Sequence, residues 1–362
     1  MKICVIGLRG MPGIMGGVET HCEELLPRIA AANPKLDIEV IGRSFYMGKD
    51  RKTVGRVRVT PLPSTRGKMS EAITSTLAGL LYARRAHADT LHIHAVGPAL
   101  LIPLARLLGF RVIFTHHGAD YNRAKWGPFA KLALRWGESF GMRFANRIIC
   151  VSPSLRETMA RRYPCAERRT VFIPNGTSDL PNAERCDADV LADFGLHAGT
   201  YILAVSRLVP EKGLDYLIRA HALSGTPYKL VIAGAQNHGD KYVDQLKQAA
   251  GANVVFLGMV PRSALGTLYR NTACFVLPSF HEGLPIAALE ALSADRPMLL
   301  SDIPPNRDIG LPEGNYFPVG DAMILSERLN AITGKQADFE SFRKNFDWDT
   351  ISQNTSRVYE SV

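Results

Sequence analysis

The feature that most constrains this chain is a recurring set of short apolar runs, rich in β-branched residues and separated by stretches of helical character. Strands of a parallel sheet look like this, because helices cover both faces of the sheet. The pattern predicts an α/β fold with two doubly wound units. We expect strands at 2–7, 37–42, 56–62, 90–95, 111–117, 147–152 and 170–176, and then at 201–208, 229–235, 254–260, 273–279, 297–303 and 315–320.

A polar segment containing Pro181 separates the two sets of strands and predicts an interdomain linker that runs into a short helix at 187–194. We therefore expect a first domain at 1–180 and a second at 198–340, with a helical tail at 341–362. Doubly wound sheets bind ligands at the carboxyl ends of their strands, where the strand order reverses. A cleft formed by these ends of the two sheets is the expected site of chemistry.

Composition narrows the class of protein. The net charge is +9, and residues 1–180 carry 27 Lys and Arg against 13 Asp and Glu, so the first half has either an anionic partner or a solvated basic face.

The six cysteines form no C-x-x-C pair, which favours buried thiols in a reducing compartment and argues against zinc. The start is typical of a strand rather than a signal peptide, and the longest apolar stretch is about half a membrane span. We expect a cytoplasmic protein.

The strongest local signal is the segment HEGLPIAALEAL at 281–292, which directly follows a predicted strand. Pro285 suits the first turn of a helix, where its missing N–H costs nothing. The backbone N–H groups of Gly283 and Leu284 would then point out of the positive end of the helix. Such an end binds phosphate.

Charged residues accompany this helix start. Glu282 and Glu290 are separated by roughly 10 Å of helical rise, so one carboxylate can accept from a sugar and the other from a ribose; the alternative is a pair of solvated carboxylates. Arg207 and Lys212 flank a tight loop in which Gly213 opens the next helix. Two fixed cations at a helix start suit a diphosphate, although loop cations are often simply solvated.

The loop GLRGMPGIMGGVET at 7–20 follows the first strand, and Gly16 and Gly17 offer bare backbone N–H groups to a phosphate or sugar. A plain turn is the alternative. The glycine spacing is not that of a dinucleotide site, and the P-loop pattern is absent from the sequence, which excludes a P-loop NTPase.

A third cluster follows the strand at 111–117, where His117 precedes a glycine and Asp120 comes soon after. His92 and His94 alternate on one strand face, but no third ligand accompanies them at a persuasive spacing, so we expect no metal. Asp187-Ala188-Asp189 resembles a metal-binding D-x-D but lies in the linker, and we treat it as a decoy.

Together these segments resemble glycosyltransferase family 4, a retaining family with the GT-B fold of two Rossmann-like domains. Four elements in order carry the resemblance: the Gly-Gly-Val-Glu loop at 16–19, the His-Gly turn at 117–118, Arg207 with Lys212, and the E-x7-E spacing of Glu282 and Glu290. The first half looks most like bacterial members that build surface polysaccharides or exopolysaccharides. EGLPIAALE departs from the commoner Glu-Gly-Phe-Gly-Leu-Pro form, which leaves the donor sugar open.

The resemblance implies a role for each residue. Arg207 and Lys212 would hold the donor diphosphate, Glu290 the ribose and Glu282 the transferred sugar, with Gly16 and Gly17 beside the phosphates. His117 would touch the sugar near its anomeric carbon, and backbone near Met259 would contact the base. The resemblance also implies retention of configuration, no metal and no cofactor. It further implies a C-terminal helix that crosses back to the first domain.

With the donor on the second domain, the first is left for the acceptor, and His94 and Asp120 are the candidates there. Residues 122–147 alternate basic and aromatic side chains, which is typical either of a helix lying on an anionic membrane or of ordinary core helices with solvated cations. We expect a UDP- or GDP-sugar donor and a saccharide acceptor, lipid-linked at the inner face of the plasma membrane. We expect no nucleic-acid partner.

Two other functions fit the same scaffold. One is a sugar-nucleotide epimerase or a phosphorylase, and the other is a non-catalytic protein that binds a nucleotide sugar. The intact set of cationic and acidic donor residues argues against the second.

Overall fold

A computed structural model describes residues 1–67, 70–119, 121, 126–177, 180–234 and 241–362. The chain divides into two compact units, the first made of Met1–Gly176 with Asp347–Val362 and the second of Thr177–Phe346. Both units are built on sheets whose strands pair mostly in parallel, with helices between most consecutive strands. This is the doubly wound α/β class that the sequence predicts.

The elements follow the expected alternation along the described residues. The strands are β1 Lys2–Ile6, β2 Asp37–Arg43, β3 Lys52–Val54, β4 Val57–Leu62, β5 Thr90–His94, β6 Arg111–His116, β7 Arg147–Cys150, β8 Thr170–Phe172, β9 Tyr201–Val205, β10 Lys229–Ala233, β11 Val254–Gly258, β12 Cys274–Leu277, β13 Met298–Ser301 and β14 Tyr316–Phe317. The helices are α1 Gly17–Ala32, α2 Ser44–Met47, α3 Ser70–Arg85, α4 Ile102–Leu107, α5 Pro128–Phe144, α6 Pro153–Arg162, α7 Asp187–Asp193, α8 Leu214–Ser224, α9 Lys241–Ala249, α10 Arg262–Asn271, α11 Ile286–Ser293, α12 Pro304–Arg307, α13 Ala322–Ile332, α14 Glu340–Arg343 and α15 Trp348–Glu360.

The first sheet has the order β3-β4-β2-β1-β5-β6-β7-β8 over the residues described. Side chains alternate across it, because successive residues of a strand face opposite sides: Ile3 and Val5 enter one core, and Cys4 and Ile6 enter the other. α15 packs beside α1 in the first of these cores, where Trp348 is buried. The C-terminal helix therefore crosses back to the first unit, as predicted.

The second sheet runs β11-β10-β9-β12-β13-β14 in the part of the chain that the structure describes. The strand order reverses between β9 and β12, which pair in parallel, and in the first sheet it reverses between β1 and β5, which are also parallel neighbours. These two reversals are the places where ligands of doubly wound sheets bind.

Two expectations need correction. The helix predicted at 341–362 begins only at Trp348, because Asp347 caps it by accepting from the Thr350 N–H, and α14 belongs to the second unit. The sequence also gave no sign of β3, a short strand that pairs antiparallel with β4 at the sheet edge. In the described part of the chain, the helices are too short or too polar to cross a membrane.

Candidate active site

The loops after β9 and β12 in the second unit pack closely and are joined by a backbone hydrogen bond. Gly213 has a φ of +62°, and a Cβ there would lie 2.4 Å from the carbonyl oxygen of Pro278, so only glycine fits. The Phe280 N–H donates to the Glu211 carbonyl at 2.9 Å. The two loops therefore keep a fixed spacing at the point where the strand order reverses.

This spacing brings Lys212 and Glu282 into an ion pair with an Nζ–Oε1 distance of 2.5 Å. Their side chains are only 15% and 10% exposed, so each charge depends on the other for compensation. Arg207, which lies two residues beyond β9, is 3.9 Å from the Glu211 carboxylate and 40% exposed. Three of the predicted donor residues thus lie on the same edge of one sheet.

Glu290 occupies a different environment. It lies inside α11 and is 9% exposed, beside the fully buried Tyr269 of α10. Burial and then the neighbouring Glu290 carboxylate raise the pKa of Tyr269 well above its ordinary value. Sequence reasoning did not anticipate this tyrosine, which lies next to the carboxylate that we assigned to a ribose.

The remaining predicted donor positions surround the start of α11 or lie farther along the sheet. The helix begins at Ile286, so Pro285 is the cap residue in an extended conformation rather than part of the first turn. Leu284 is buried. Met259 follows β11, which β10 separates from β9, and its side chain is 65% exposed. The structure therefore does not group Met259 with the Lys212–Glu282 pair.

The glycine-rich loop of the first unit is fixed by an ion pair that the sequence analysis missed. Arg9 donates from its backbone N–H and its Nε to Glu19 Oε1 at 2.9 and 3.1 Å. Gly16 precedes α1 with a φ of +154°, and a Cβ there would lie 2.1 Å from Glu19 Oε2. Gly16 thus has a backbone conformation that favours glycine, a side chain there would have to displace this pair, and Gly17 is the first residue of the helix.

Three histidines meet at the carboxyl edge of the first sheet. His94 ends β5, His117 follows β6 and His21 lies in α1; one nitrogen of each lies within 4.8 Å of the other two. The His94 Nδ1–His117 Nε2 distance is 2.9 Å, and His21 Nδ1 is 2.9 Å from Asn175 Oδ1. Sequence spacing offered His92 and His94 no third ligand, whereas the structure brings His21 and His117 to His94 from other segments.

His92 has hydrogen-bond partners outside this group of three histidines. Its Nδ1 is 2.8 Å from the Tyr359 hydroxyl and its Nε2 is 2.7 Å from Thr115 Oγ1, so both ring nitrogens are taken. Burial, with a smaller contribution from His21, lowers the pKa of His92 to about 3. Burial also lowers the pKa of His21 to about 4 and those of His94 and His117 well below the ordinary value. The cluster is neutral at physiological pH.

A buried carboxylate anchors the turn that carries His117. Glu138 of α5 is fully buried and accepts from His116 Nε2 at 3.1 Å and from Arg162 at 2.9 Å. Burial raises its pKa, but these hydrogen bonds outweigh burial and lower the pKa to about 2. The Gly118 N–H in turn donates to His116 Nδ1 at 3.1 Å. One signal for this was available in the sequence of α5, where Gly137 and Gly141 are buried together with Glu138.

Two other sequence candidates lie outside these clusters or outside the described residues. Asp187, in the D-x-D treated as a decoy, accepts from Thr267, Arg270 and Asn271, which are structural contacts of α7 with α10. Asp120 lies outside the described residues, as do Arg123 and Lys125 of the basic segment.

Comparison with known proteins is consistent with these features. The family model described as "Glycosyltransferase Family 4" matches residues 15–179, and that described as "Glycosyl transferases group 1" matches residues 196–346. An uncharacterized glycosyltransferase of Methanocaldococcus jannaschii is 27% identical over 99% of this chain and 98% of its own length. The alpha-maltose-1-phosphate synthase of Mycolicibacterium smegmatis is 25% identical over the full length of both.

One further relative and two solved structures complete the comparison. The UDP-Gal:alpha-D-GlcNAc-diphosphoundecaprenol alpha-1,3-galactosyltransferase of Escherichia coli is 27% identical over 67% of this chain and 65% of its own. The sucrose-phosphate synthase of Thermosynechococcus elongatus superposes with a TM-score of 0.82 at 20% identity, covering 99% and 98% of the two chains. HepE of Anabaena, solved with UDP-glucose, gives 0.78 at 18% identity with full coverage of both. From its two family matches, the chain belongs to glycosyltransferase family 4 and has the GT-B fold.

Proposed function

We propose that this glycosyltransferase moves a hexose from a UDP- or GDP-linked donor to a saccharide acceptor on a lipid carrier, in polysaccharide biosynthesis. We further propose that it retains the anomeric configuration and uses no metal at the donor. The observation that carries the proposal is the shielded Lys212–Glu282 pair, 2.5 Å apart beside the strand reversal of the second unit. HepE, solved with UDP-glucose, and the E. coli galactosyltransferase, named for UDP-Gal, support a nucleotide-sugar donor.

The donor roles follow from the charges. Arg207 and Lys212 bind the diphosphate, Glu282 accepts hydrogen bonds from the transferred sugar, and Glu290 accepts them from the ribose. A bound diphosphate gives the Lys212 ammonium a second anionic partner, so the short pair with Glu282 opens on binding. Fixed cations at this point stabilise the negative charge that develops on the phosphates as the bond breaks.

The transfer itself is a front-side displacement. The acceptor hydroxyl oxygen bonds to the anomeric carbon from the face that the diphosphate leaves, and the electron pair of the broken C–O bond departs with the diphosphate. The hydroxyl proton passes to a phosphate oxygen of the leaving group. The products are a glycoside of unchanged configuration and a nucleoside diphosphate, and His117 is the catalytic histidine that we assign to the first unit.

A donor panel tests this function. UDP, GDP and their hexose conjugates are added to the full-length chain in the presence of EDTA, and the melting temperature is followed. We expect one nucleoside diphosphate and its sugar to raise it, since a ligand of the native state stabilises by mass action. Failure of every donor to do so, or binding only when a divalent ion is added, contradicts the proposal.

Product analysis separates the competing enzymes. NMR of the products from the donor that binds should give a new glycoside with the donor's anomeric configuration. A free nucleotide sugar of altered configuration indicates an epimerase, release of a sugar phosphate indicates a phosphorylase, and the absence of product with tight binding indicates a non-catalytic protein.

The proposal of a lipid-linked acceptor is based on the exposed face of α5. Phe129, Leu132 and Trp136 are 87%, 47% and 55% exposed and follow one another at three- and four-residue spacing, so they share one face of the helix. Arg135 is also exposed beside them. An apolar helix face with neighbouring cations binds an anionic membrane interface. The E. coli relative, named for a diphosphoundecaprenol-linked acceptor, supports such a substrate.

Liposome sedimentation tests the membrane face. We expect binding to vesicles with anionic lipid at low salt and weaker binding at high salt. Phe129→Ser with Trp136→Ser should reduce the bound fraction several-fold, because about 0.8 kcal/mol is lost per CH₂ group no longer buried. Phe45→Ser, at a similarly exposed aromatic residue of α2, is the matched control. Equal loss in both variants, or no binding by the parent chain, refutes the membrane role.

A further inference from the structure

His94 is fully buried at the end of β5, whereas His117 is partly exposed on the turn after β6. A side chain without exposed surface does not contact a substrate directly, so any role of His94 in transfer is exerted through a neighbour. That neighbour is His117, whose Nε2 lies 2.9 Å from His94 Nδ1. The contact therefore joins a residue that the proposed reaction uses to one that it leaves without a role.

The two rings meet edge to edge rather than face to face. Their planes are inclined by 25° and their centroids are 5.2 Å apart, although the facing nitrogens of His94 and His117 are only 2.9 Å apart. A hydrogen between these nitrogens lies close to both ring planes, which is a favourable geometry for an N–H···N bond. Burial lowers the pKa of both rings well below the ordinary value, so each neutral ring has one N–H and one lone pair.

We propose that His94 is the positioning residue of His117: it engages Nε2 of that ring, fixes a single tautomer and leaves Nδ1 as the nitrogen presented to the transferred sugar. In a neutral imidazole, the hydrogen bond made by one nitrogen sets the protonation of the other. Among the residues that the structure describes, His117 Nδ1 has no hydrogen-bond partner. The inference rests on the role in transfer that we propose for His117.

Other contacts hold the backbone of this turn. His116 Nε2 donates to the buried Glu138 carboxylate at 3.1 Å, and the Gly118 N–H donates to His116 Nδ1 at 3.1 Å. These bonds fix the chain on both sides of His117 but do not involve its ring. The bond to His94 supplies a fixed orientation of the ring, and orientation matters because a misplacement of about 1 Å can lower a rate about 100-fold.

Two variants of His94 separate hydrogen bonding from packing. The side chains in His94→Leu and His94→Asn have similar shapes, but only the amide of His94→Asn can hydrogen-bond in place of Nδ1. His92 supplies the control, because it is equally buried in β5 and its nitrogens bond Tyr359 and Thr115 instead. His92→Leu therefore disturbs the same core without removing the partner of His117.

The first experiment detects the bond in the absence of any nucleotide sugar. The histidines of the full-length chain are labelled with nitrogen-15 and observed by NMR at neutral pH, with His117→Gln used to assign the signals of that ring. We expect a scalar coupling between His94 Nδ1 and His117 Nε2, and two well-separated nitrogen shifts that show one tautomer of His117. The two shifts should converge in His94→Leu, because the tautomers then exchange, and should stay apart in His92→Leu.

The second experiment measures transfer from the donor that binds. His94→Leu should lower kcat about 10-fold, which corresponds to the loss of one hydrogen bond, while the Kd of the nucleoside diphosphate stays within about twofold. His94→Asn should restore most of the rate, and His92→Leu should keep kcat within about threefold of the parent. Because His94 acts through His117, adding His94→Leu to His117→Ala should change kcat by less than about twofold.

Absence of the coupling in the parent, a single tautomer of His117 in His94→Leu, or additive losses in the double variant overturns the inference. If the parent transfers sugar from no donor, the proposed function is refuted, and the NMR experiment by itself decides whether His94 orients His117. If His94→Leu does not fold, the coupling in the parent and the rate of His94→Asn give the decision.

Discussion

The two units share the doubly wound architecture but differ in chemistry at the carboxyl edges of their sheets. The second unit places the Lys212–Glu282 ion pair at its strand reversal, whereas the first unit places neutral histidines at the corresponding edge in addition to the Arg9–Glu19 ion pair. Full charges suit an anionic ligand such as a diphosphate, and neutral donors and acceptors suit uncharged hydroxyl groups. The comparison teaches that one scaffold acquires two roles through the electrostatics of its loops.

The largest expected effect comes from removing the cation of the second unit. Lys212→Ala should lower kcat/KM by about 10²–10³-fold, because a fixed positive charge no longer meets the charge that develops on the diphosphate. Lys344→Ala, at an exposed lysine of the same unit paired with Glu340, is the control. Steady-state rates of nucleotide release measure both. Near-normal turnover in Lys212→Ala would contradict the proposal that a fixed cation of the second unit acts on the diphosphate.

The second effect should appear in the stability of the first unit. Glu138→Gln leaves His116 and Arg162 without their buried carboxylate and should cost about 3 kcal/mol in the free energy of unfolding. The chain's three tryptophans, Trp126, Trp136 and Trp348, all belong to this unit, so urea unfolding followed by tryptophan fluorescence reports on it alone.

Two controls belong with Glu138→Gln. Glu157→Gln, at a largely exposed pair with Arg161, should change the free energy of unfolding by less than about 1 kcal/mol. UDP or GDP binding to the second unit should be unaffected by either variant. Loss of nucleotide binding in Glu138→Gln would show that nucleotide binding by the second unit depends on the first unit, against the division of roles between them.

A smaller effect on turnover is expected from Glu290→Gln. The glutamine amide keeps the shape of the side chain beside Tyr269 but lacks the charge that we assign to ribose binding. Loss of this charged hydrogen bond should cost about 2 kcal/mol of binding free energy, which lowers kcat/KM roughly 30-fold. Glu327→Gln, at an exposed residue of α13, is the matched control. If the deoxyribose form of the donor is used as well as the ribose form by the parent chain, the assignment to ribose is wrong.

The smallest effect is a pH dependence. Because the pKa of Glu138 is lowered to about 2 in the fold from its ordinary 4.5, its stabilising contribution is complete above pH 4.5 and is lost as pH falls toward 2. Between pH 5 and 3.5 the parent should lose about 1 kcal/mol more than Glu138→Gln in tryptophan-monitored unfolding. Parallel pH profiles for the two chains would contradict this account of the carboxylate.

Most strands of the two sheets could be predicted from the sequence, because they are buried on both faces and therefore form continuous apolar runs. β3 escaped prediction because Lys52–Val54 is short, largely exposed and antiparallel, so it carries no such run. The end of the chain was predicted as one helix because its polar and apolar residues are helical in pattern. The break before Trp348 depends on the Asp347 cap, a local contact that the periodicity does not express.

The position of Arg207, Lys212 and Glu282 at the carboxyl edge could be predicted because they lie in loops directly after strands. Their role in binding the donor stays a prediction. The histidine cluster could not be predicted, because its members are far apart in sequence and only the strand order brings them together. Glu138 was missed for a related reason. A charge inside an amphipathic helix is usually solvated, and its partners, the buried His116 and the half-exposed Arg162, come from neighbouring elements.

The return of Asp347–Val362 to the first unit has a consequence for biosynthesis. The second unit is one continuous segment, Thr177–Phe346, and all of it leaves the ribosome before the final helix does. Most of the first unit is translated earlier, but it lacks Trp348 and the Tyr359 partner of His92 until α15 has been synthesised. The whole second unit is therefore synthesised before the first unit acquires α15.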